Sequence, residues 1–322
     1  MTITRRRFGL SLAAGAAIAA SPGLVRAHGA AWPARNVRLI VPFGAGGAPD
    51  SIARPVAEKL GQRWGRQVII ENRAGAGSNV GTEVVKNADP DGHTLLLSSF
   101  ATAVNQFLYP SVPFNAVEDF AHISHLANVP NFVIVPPNSP FRSVQELIAH
   151  ARANPNALSF GSSGAGSSLH LMAALLAANT GVRFTHVPYR GSAPALTDVM
   201  GGRIDFMFNS IGTTLSQWRG GQVRALSVTS ATRSPQAPDV PTMTELNIPG
   251  FPASSWFALS APARTPRAIV ERIAADVRWA MAEPDLVRLM TDGSNEIVAS
   301  DPDDPREQHL RRGLSRPAPA RR

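Results

Sequence analysis

The chain predicts an α/β fold arranged as two lobes, each a mostly parallel sheet flanked by helices. Three observations lead there. Strand-like and helix-like patterns alternate from Val37 to about Met281. About 295 of the 322 residues remain after an N-terminal leader, enough for two separate cores. Two glycine-rich turns, Phe43 to Gly47 and Gly161 to Ser167, each follow a strand and open a helix.

The elements follow in order. Val37-Arg38-Leu39-Ile40-Val41 is an apolar strand stopped by Pro42. Pro49 then stands near the first helical position and Asp50 in the first turn. Ile52, Val56, Leu60 and Trp64 recur every four residues and mark one helix face. Gln67 to Glu71 predicts a strand, Glu83 to Ala88 the end of a short helix, and Asp89-Pro90-Asp91-Gly92 a turn. Strands follow at Thr94 to Ser98 and at Val133 to Val135. Ser143-Val144-Gln145-Glu146 is a capping box for a helix through Ala153. Beyond it, strands at Leu158–Gly161, Arg183–Val187, Ile204–Phe208 and Val223–Thr229 alternate with helices at Ser167–Ala178 and Ala193–Met200. Thr265-Pro266 predicts the cap of a long helix to about Met281. Crossings between lobes are expected at Ala127–Pro130 and near Ala225–Thr232. Lobe one is then 36–126 plus 228–305, and lobe two is 127–227.

The ends carry a different message. Residues 1–27 read as an export signal: Arg5-Arg6-Arg7, an apolar run from Leu12 to Ala20, and small residues around Val25-Arg26-Ala27. Thr4 to Leu10 resembles the twin-arginine consensus, with an ordinary secretory signal as the alternative. The apolar run is too short to span a membrane. The destination is the periplasm, and with no cysteine the protein relies there on its packed core alone. Residues 306–322 hold six arginines, two prolines and one acid, and predict a basic, disordered tail.

The formal charge of +8 does not mark a nucleic-acid partner. Four arginines lie in the leader and six in the tail, leaving 21 basic and 22 acidic groups across residues 28–305. A folded part so near neutrality lacks a footprint for phosphate backbones.

The two glycine-rich turns are the candidate sites. A strand, a bare turn and a helix start present unpaired backbone N–H groups to an anion. In the first turn, Phe43, Gly46, Gly47, Ala48 and Asp50 are the candidate residues. The turn has proline where a dinucleotide fingerprint needs its third glycine, and it lacks the lysine of a Walker loop. In the second, Gly161, Ser162, Ser163, Gly166 and Ser167 precede the helix that carries His170. Ser98 and Ser99, and Tyr189 with Gly191, also stand at carboxyl ends of strands, where ligands of α/β folds bind. Asn72 to Gly77 is a third glycine-rich turn, expected to be structural. The alternative function is an exported hydrolase with Ser163 as nucleophile and His170 as base, but the turn lacks the final glycine of a nucleophile elbow. His122 and His125 have the spacing of a metal pair without a third ligand cluster, so no metal is expected. No cofactor is expected either.

Several segments in order resemble the extracytoplasmic solute-binding receptors of tripartite tricarboxylate transporters, the Bug family. They are Val41-Pro42-Phe43 through Gly46-Gly47 and Asp50; Glu71-Asn72-Arg73 with Gly75-Ala76-Gly77; Asp91-Gly92-His93-Thr94-Leu95-Leu96; Phe160-Gly161-Ser162 through Gly166 and His170; and His186 to Gly191 with Gly201 to Asp205. The resemblance implies a two-lobed periplasmic binding protein that closes on a small carboxylate and is not an enzyme. It implies a ligand held largely by main-chain N–H groups and waters, with Phe43 and Tyr189 as walls. Gly46, Gly47, Ala48 and Asp50 would form one pole and Ser162, Ser163, Gly166 and Ser167 the other, with Asp50 shaping its turn. It also implies the membrane components of such a transporter as partners, with the receptor itself a monomer. The family's closing C-terminal helix is replaced here by the Pro/Arg tail.

Overall fold

The computed structural model describes residues 32–304; the expected leader and basic tail lie outside the described residues. Among the described residues, eleven strands form two sheets. The first contains β1 (Val37–Val41), β2 (Val68–Asn72), β3 (Thr94–Ser99), β4 (Phe120–Val129), β10 (Ser255–Pro262) and β11 (Glu296–Ile297), in the order β11-β4-β10-β3-β1-β2. The second contains β5 (Asn131–Val135), β6 (Ser159–Ser162), β7 (Thr185–Pro188), β8 (Phe206–Ser210) and β9 (Arg224–Val228), in the order β7-β6-β8-β5-β9.

The sheets are mixed, a correction to the mostly parallel expectation. β1 pairs parallel with β2 and β3, and β6 with β7 and β8. The strands nearest the crossings are antiparallel: β10 to β3 and β4, and β5 to β8 and β9. The chain leaves the first sheet along β4, passes Pro130 and enters the second as β5. It returns as β10 between β3 and β4, against the direction of both.

Each sheet builds its own core. Leu39, Leu95 and Leu97 pack with Ile52, Val56 and Leu60 of α1 (Ala48–Trp64) and with Ile273 and Val277 of α8 (Arg267–Ala282). On the opposite face Ile40 and Leu96 meet Val85 of α2 (Asn79–Lys86), together with Phe114 and Phe120. Covered on both faces, β1 and β3 are continuous apolar runs, as their sequences predicted. The second core gathers Phe132, Val133, Phe206 and Phe208 with α4 (Val144–Ala153), α5 (Ser168–Thr180) and α6 (Ser192–Met200). α7 (Ile211–Arg219) adds Trp218 against Phe132, with ring centroids 5.5 Å apart.

Segment 237–253 belongs to this second core through Ala237, Val240, Met243 and Ile248. The expectation that the chain is back in lobe one from residue 228 is therefore corrected: it stays with the second sheet until it enters β10. The reason is a backbone return, in which Met243 donates its N–H to Val228 and Ala253 to Thr229.

Two local expectations change as well. The α4 cap forms, with Ser143 Oγ accepting the Glu146 N–H at 3.1 Å, but the Glu146 carboxylate reaches Arg142 N–H. α8 begins after Pro266 with no side-chain cap, and Thr265 is buried.

Candidate functional site

The first turn is held from beneath by Asp50. Its carboxylate accepts the Gly46 N–H at 3.2 Å, the Asn72 amide at 3.0 Å and the Arg54 guanidinium at 2.9 Å. Asn72 also donates to the Phe43 carbonyl at 3.1 Å. Burial pushes the Asp50 carboxyl up, but the donors from Arg54, Asn72 and Gly46 outweigh it and hold it below its ordinary value. Gly46 takes a φ of 83°, so the turn needs a residue free to enter the left-handed region. Gly47 is the N-cap of α1; Pro49 has no N–H and Asp50 donates its own to the Gly47 carbonyl at 3.0 Å, which leaves the Ala48 N–H without a partner in the helix.

The second turn is framed the same way. Ser162 Oγ accepts the Gly164 N–H at 3.1 Å and lies 2.7 Å from His186 Nε2. Gly166 donates its N–H to His170 Nδ1 at 3.2 Å, which makes that nitrogen an acceptor. Ser167 caps α5 by accepting the His170 N–H at 3.3 Å. The His170 and His186 rings stack at 4.2 Å, with Phe160 continuing the stack. Burial lowers both imidazoles, His186 to about 4 with a further contribution from His170.

The lobes meet at these turns. Gly44 donates its N–H to the Arg190 carbonyl at 3.1 Å, and the Tyr109 hydroxyl donates to the Ala165 carbonyl at 3.0 Å. A Cβ on Gly44 would stand 2.4 Å from the Arg190 oxygen, and one on Gly77 1.9 Å from the Ala165 oxygen. The third glycine-rich turn thus also borders the interface between lobes.

Between the lobes lies a narrow cleft with a cavity volume of about 30 Å³. The first lobe contributes Phe43, Gly44, Gly47, Ala48, Ser255 and Phe257; the second contributes Asn131, Ser163, Ser168, Gly191, Ser192 and Asn209. Four helix N-termini reach it. α1 arrives at Gly47 and Ala48, α5 at Ser168, α6 at Gly191 and Ser192, and α7 at its N-cap Ser210. No charged side chain is among the described residues that line the cleft. The aligned helix dipoles therefore make it electropositive without a fixed cation, although some first amides are engaged, Ile211 by the Pro130 carbonyl and His170 by Ser167 Oγ.

Of the residues expected at the site, Phe43, Gly47, Ala48, Ser163 and Gly191 line this cleft. Gly46, Asp50, Gly161, Ser162, Gly166 and Ser167 do not line it; they frame the turns or supply β6 behind them. Ser98 is buried within the first sheet, where its hydroxyl donates to the Ala258 carbonyl at 3.1 Å and lies 3.0 Å from Ser260 Oγ. Ser99 is likewise buried at the start of α3 (Phe100–Leu108). Tyr189 lines the adjoining groove with Pro42, Gly77 and Tyr109, and its hydroxyl donates to Asp198 at 2.7 Å. Burial, with that hydrogen bond, raises the phenol to about 12.

Sequence reasoning missed Asn131, Ser192, Asn209, Ser210 and Ser255; Ser168 stands at the end of the second turn. Asn209-Ser210 ends a strand before a helix, a signal of the same type as the turns that were read. Asn131 and Ser255 carry no such mark, because the crossings alone bring them in. The hydrolase pairing is not formed: no hydrogen bond joins Ser163 to His170, whose Nδ1 faces Gly166. The described residues also hold no cluster of three metal-ligating side chains.

The family described as "Tripartite tricarboxylate transporter family receptor" matches residues 52–311. A UPF0065 protein from the tcbD-tcbE intergenic region of Pseudomonas sp. strain P51 is 43% identical over 290 residues, covering 89% of this chain and 85% of its own. Two solved proteins of Rhodopseudomonas palustris share the fold. Rpa4515 with adipate has a TM-score of 0.83 at 32% identity, covering 88% of this chain and 95% of its own. MatC with bound malate has a TM-score of 0.81 at 29% identity, covering 88% and 98%. The family match and these relatives agree with two sheets that have separate cores and meet across glycine-rich turns; the chain belongs to the tripartite tricarboxylate transporter receptor family.

Proposed function

We propose that this protein is a periplasmic receptor that captures a small carboxylate between its lobes and delivers it to the membrane components of a tripartite tricarboxylate-type transporter. The observation that carries the reading is the convergence of four helix N-termini on a cleft without a charged side chain. Such a site favours an anion through backbone amides and dipoles, and it repels cations. Adipate and malate in the two solved relatives agree with this chemistry. Phe43, Gly47, Ala48, Ser163 and Gly191 would touch the ligand directly. Asp50, Ser162, Gly166 and Ser167 would hold the turns in register. The leader read in residues 1–27 supports the periplasmic location, and closure by one chain supports a monomer.

Thermal unfolding with a panel of mono-, di- and tricarboxylates, and with amines as controls, tests the proposal. A cognate acid at a hundred times its Kd should stabilise the protein by about 2.7 kcal/mol, and amines should not. No response to any acid would refute it.

A further inference from the structure

We infer that the cognate ligand is a hydroxycarboxylate whose hydroxyl donates to the buried Asn209, with Asn131 beside it as a second acceptor; this rests on the carboxylate reading above. Both asparagines line the cleft and are almost fully buried, at 0% and 2% exposure. Neither Oδ1 has a donor partner among the described residues.

The surroundings fix which end of each amide is the oxygen. Asn131 Nδ2 donates to the Val129 carbonyl at 3.0 Å, and a carbonyl can only accept. Asn209 Nδ2 lies 2.9 Å from Thr214 Oγ1, whose single proton goes to the Ser210 carbonyl at 2.7 Å. Thr214 must therefore accept from Asn209. Both free groups are acceptors, so both call for a donor.

A carboxylate offers no donor, and a buried acceptor left without one is costly. The ligand must therefore bring a donor on its carbon frame. An ammonium would supply protons, but it would enter a space faced by four helix N-termini and lined by no acidic side chain. Asp50 does not line that space, and its carboxylate is engaged by Arg54 and Asn72. A neutral hydroxyl gives its one proton to an asparagine Oδ1 without that repulsion, and a bridging water or a second ligand hydroxyl meets the other. Of the two solved relatives, one holds an acid without a hydroxyl and the other an acid with one. The unpaired acceptors place this chain with the second.

Calorimetric titration of matched acids tests the inference: propionate against lactate, succinate against malate, glutarate against 2-hydroxyglutarate, and phenylacetate against mandelate, with aspartate as the ammonium arm. In at least one pair the hydroxy acid should bind about tenfold tighter or more, because a site built for a hydroxyl rejects the analogue lacking it. Aspartate should bind more weakly than malate. Asn209→Ala should bring the hydroxy-to-plain ratio close to one, whatever its effect on the absolute affinity for the plain acid. A merely structural role would weaken both acids alike. Asn131→Ala, with its melting curve recorded, provides a second variant on the neighbouring strand β5. Equal binding within every pair would mean that water meets the asparagines, and would overturn the hydroxyl assignment alone. Tighter binding of aspartate than of malate would overturn it in favour of an amino acid. Binding of no acid would instead overturn the carboxylate reading.

Discussion

Gly44 shows how one missing side chain sets the behaviour of the cleft. Its backbone touches Arg190 across the lobes, where a methyl group would collide with a carbonyl oxygen. Gly44→Ala is predicted to weaken ligand binding about tenfold or more while leaving each lobe's melting temperature almost unchanged, because it obstructs closure and not folding. Calorimetry and thermal melting together check this. The stacked His170 and His186 make a second prediction. Their folded pKa values lie below 6.5, so folding favours the neutral rings. Their contribution is complete above the unfolded value and is lost as pH falls from about 6.5 toward about 4. The loss should be at most about 3 kcal/mol, reduced by the partial exposure of both rings. Urea midpoints at pH 7 and pH 5 measure it, and His186→Phe should flatten the dependence.

At the level of elements, the junction of β1 and α1 depends on the carboxylate beneath it. Asp50 receives donors from the turn, from α1 and from β2 at once. Asp50→Ala is predicted to cost about 1–3 kcal/mol and to weaken binding, since Gly46 and Asn72 lose their acceptor. Denaturant unfolding alongside ligand titration would show both effects. The same scale explains which elements were legible. β1 and β3 are apolar along most of their length because both sheet faces are covered, and the α1 face carries regular apolar spacing because one helix stripe is buried. β4 and β10 were not read. Their pairing shifts register between Phe257 and Ala258 and again between Leu259 and Ser260, which breaks the two-residue alternation that reveals a strand. α3 was missed for a different reason: FATAVNQFL offers little polar face to set a helical period.

For the whole molecule, closure rests on a few contacts of modest strength. Tyr109 to Ala165 and Gly44 to Arg190 are single hydrogen bonds between the lobes. Tyr109→Phe removes one of them, worth about 1 kcal/mol, and should speed ligand release about fivefold with little change in association. Stopped-flow displacement would detect it. Ligand should also compact the protein in small-angle scattering, as hinge closure requires.

The sequence by itself determined the α/β class, the two glycine-rich turns and the electropositive character that follows from strand, turn and helix start. Those are local properties, set by periodicity and by which residues tolerate bare turns. It also carried the family resemblance, because the segments around those turns are short and contiguous. Only the tertiary structure decided that Asp50, Ser162 and Gly166 stand behind the turns, that Ser98 lies inside a sheet, and that Asn131, Asn209 and Ser255 complete the cleft. Those residues come from separate strands and from both crossings. Their meeting depends on a mixed sheet order and a shifted register, which no local pattern encodes.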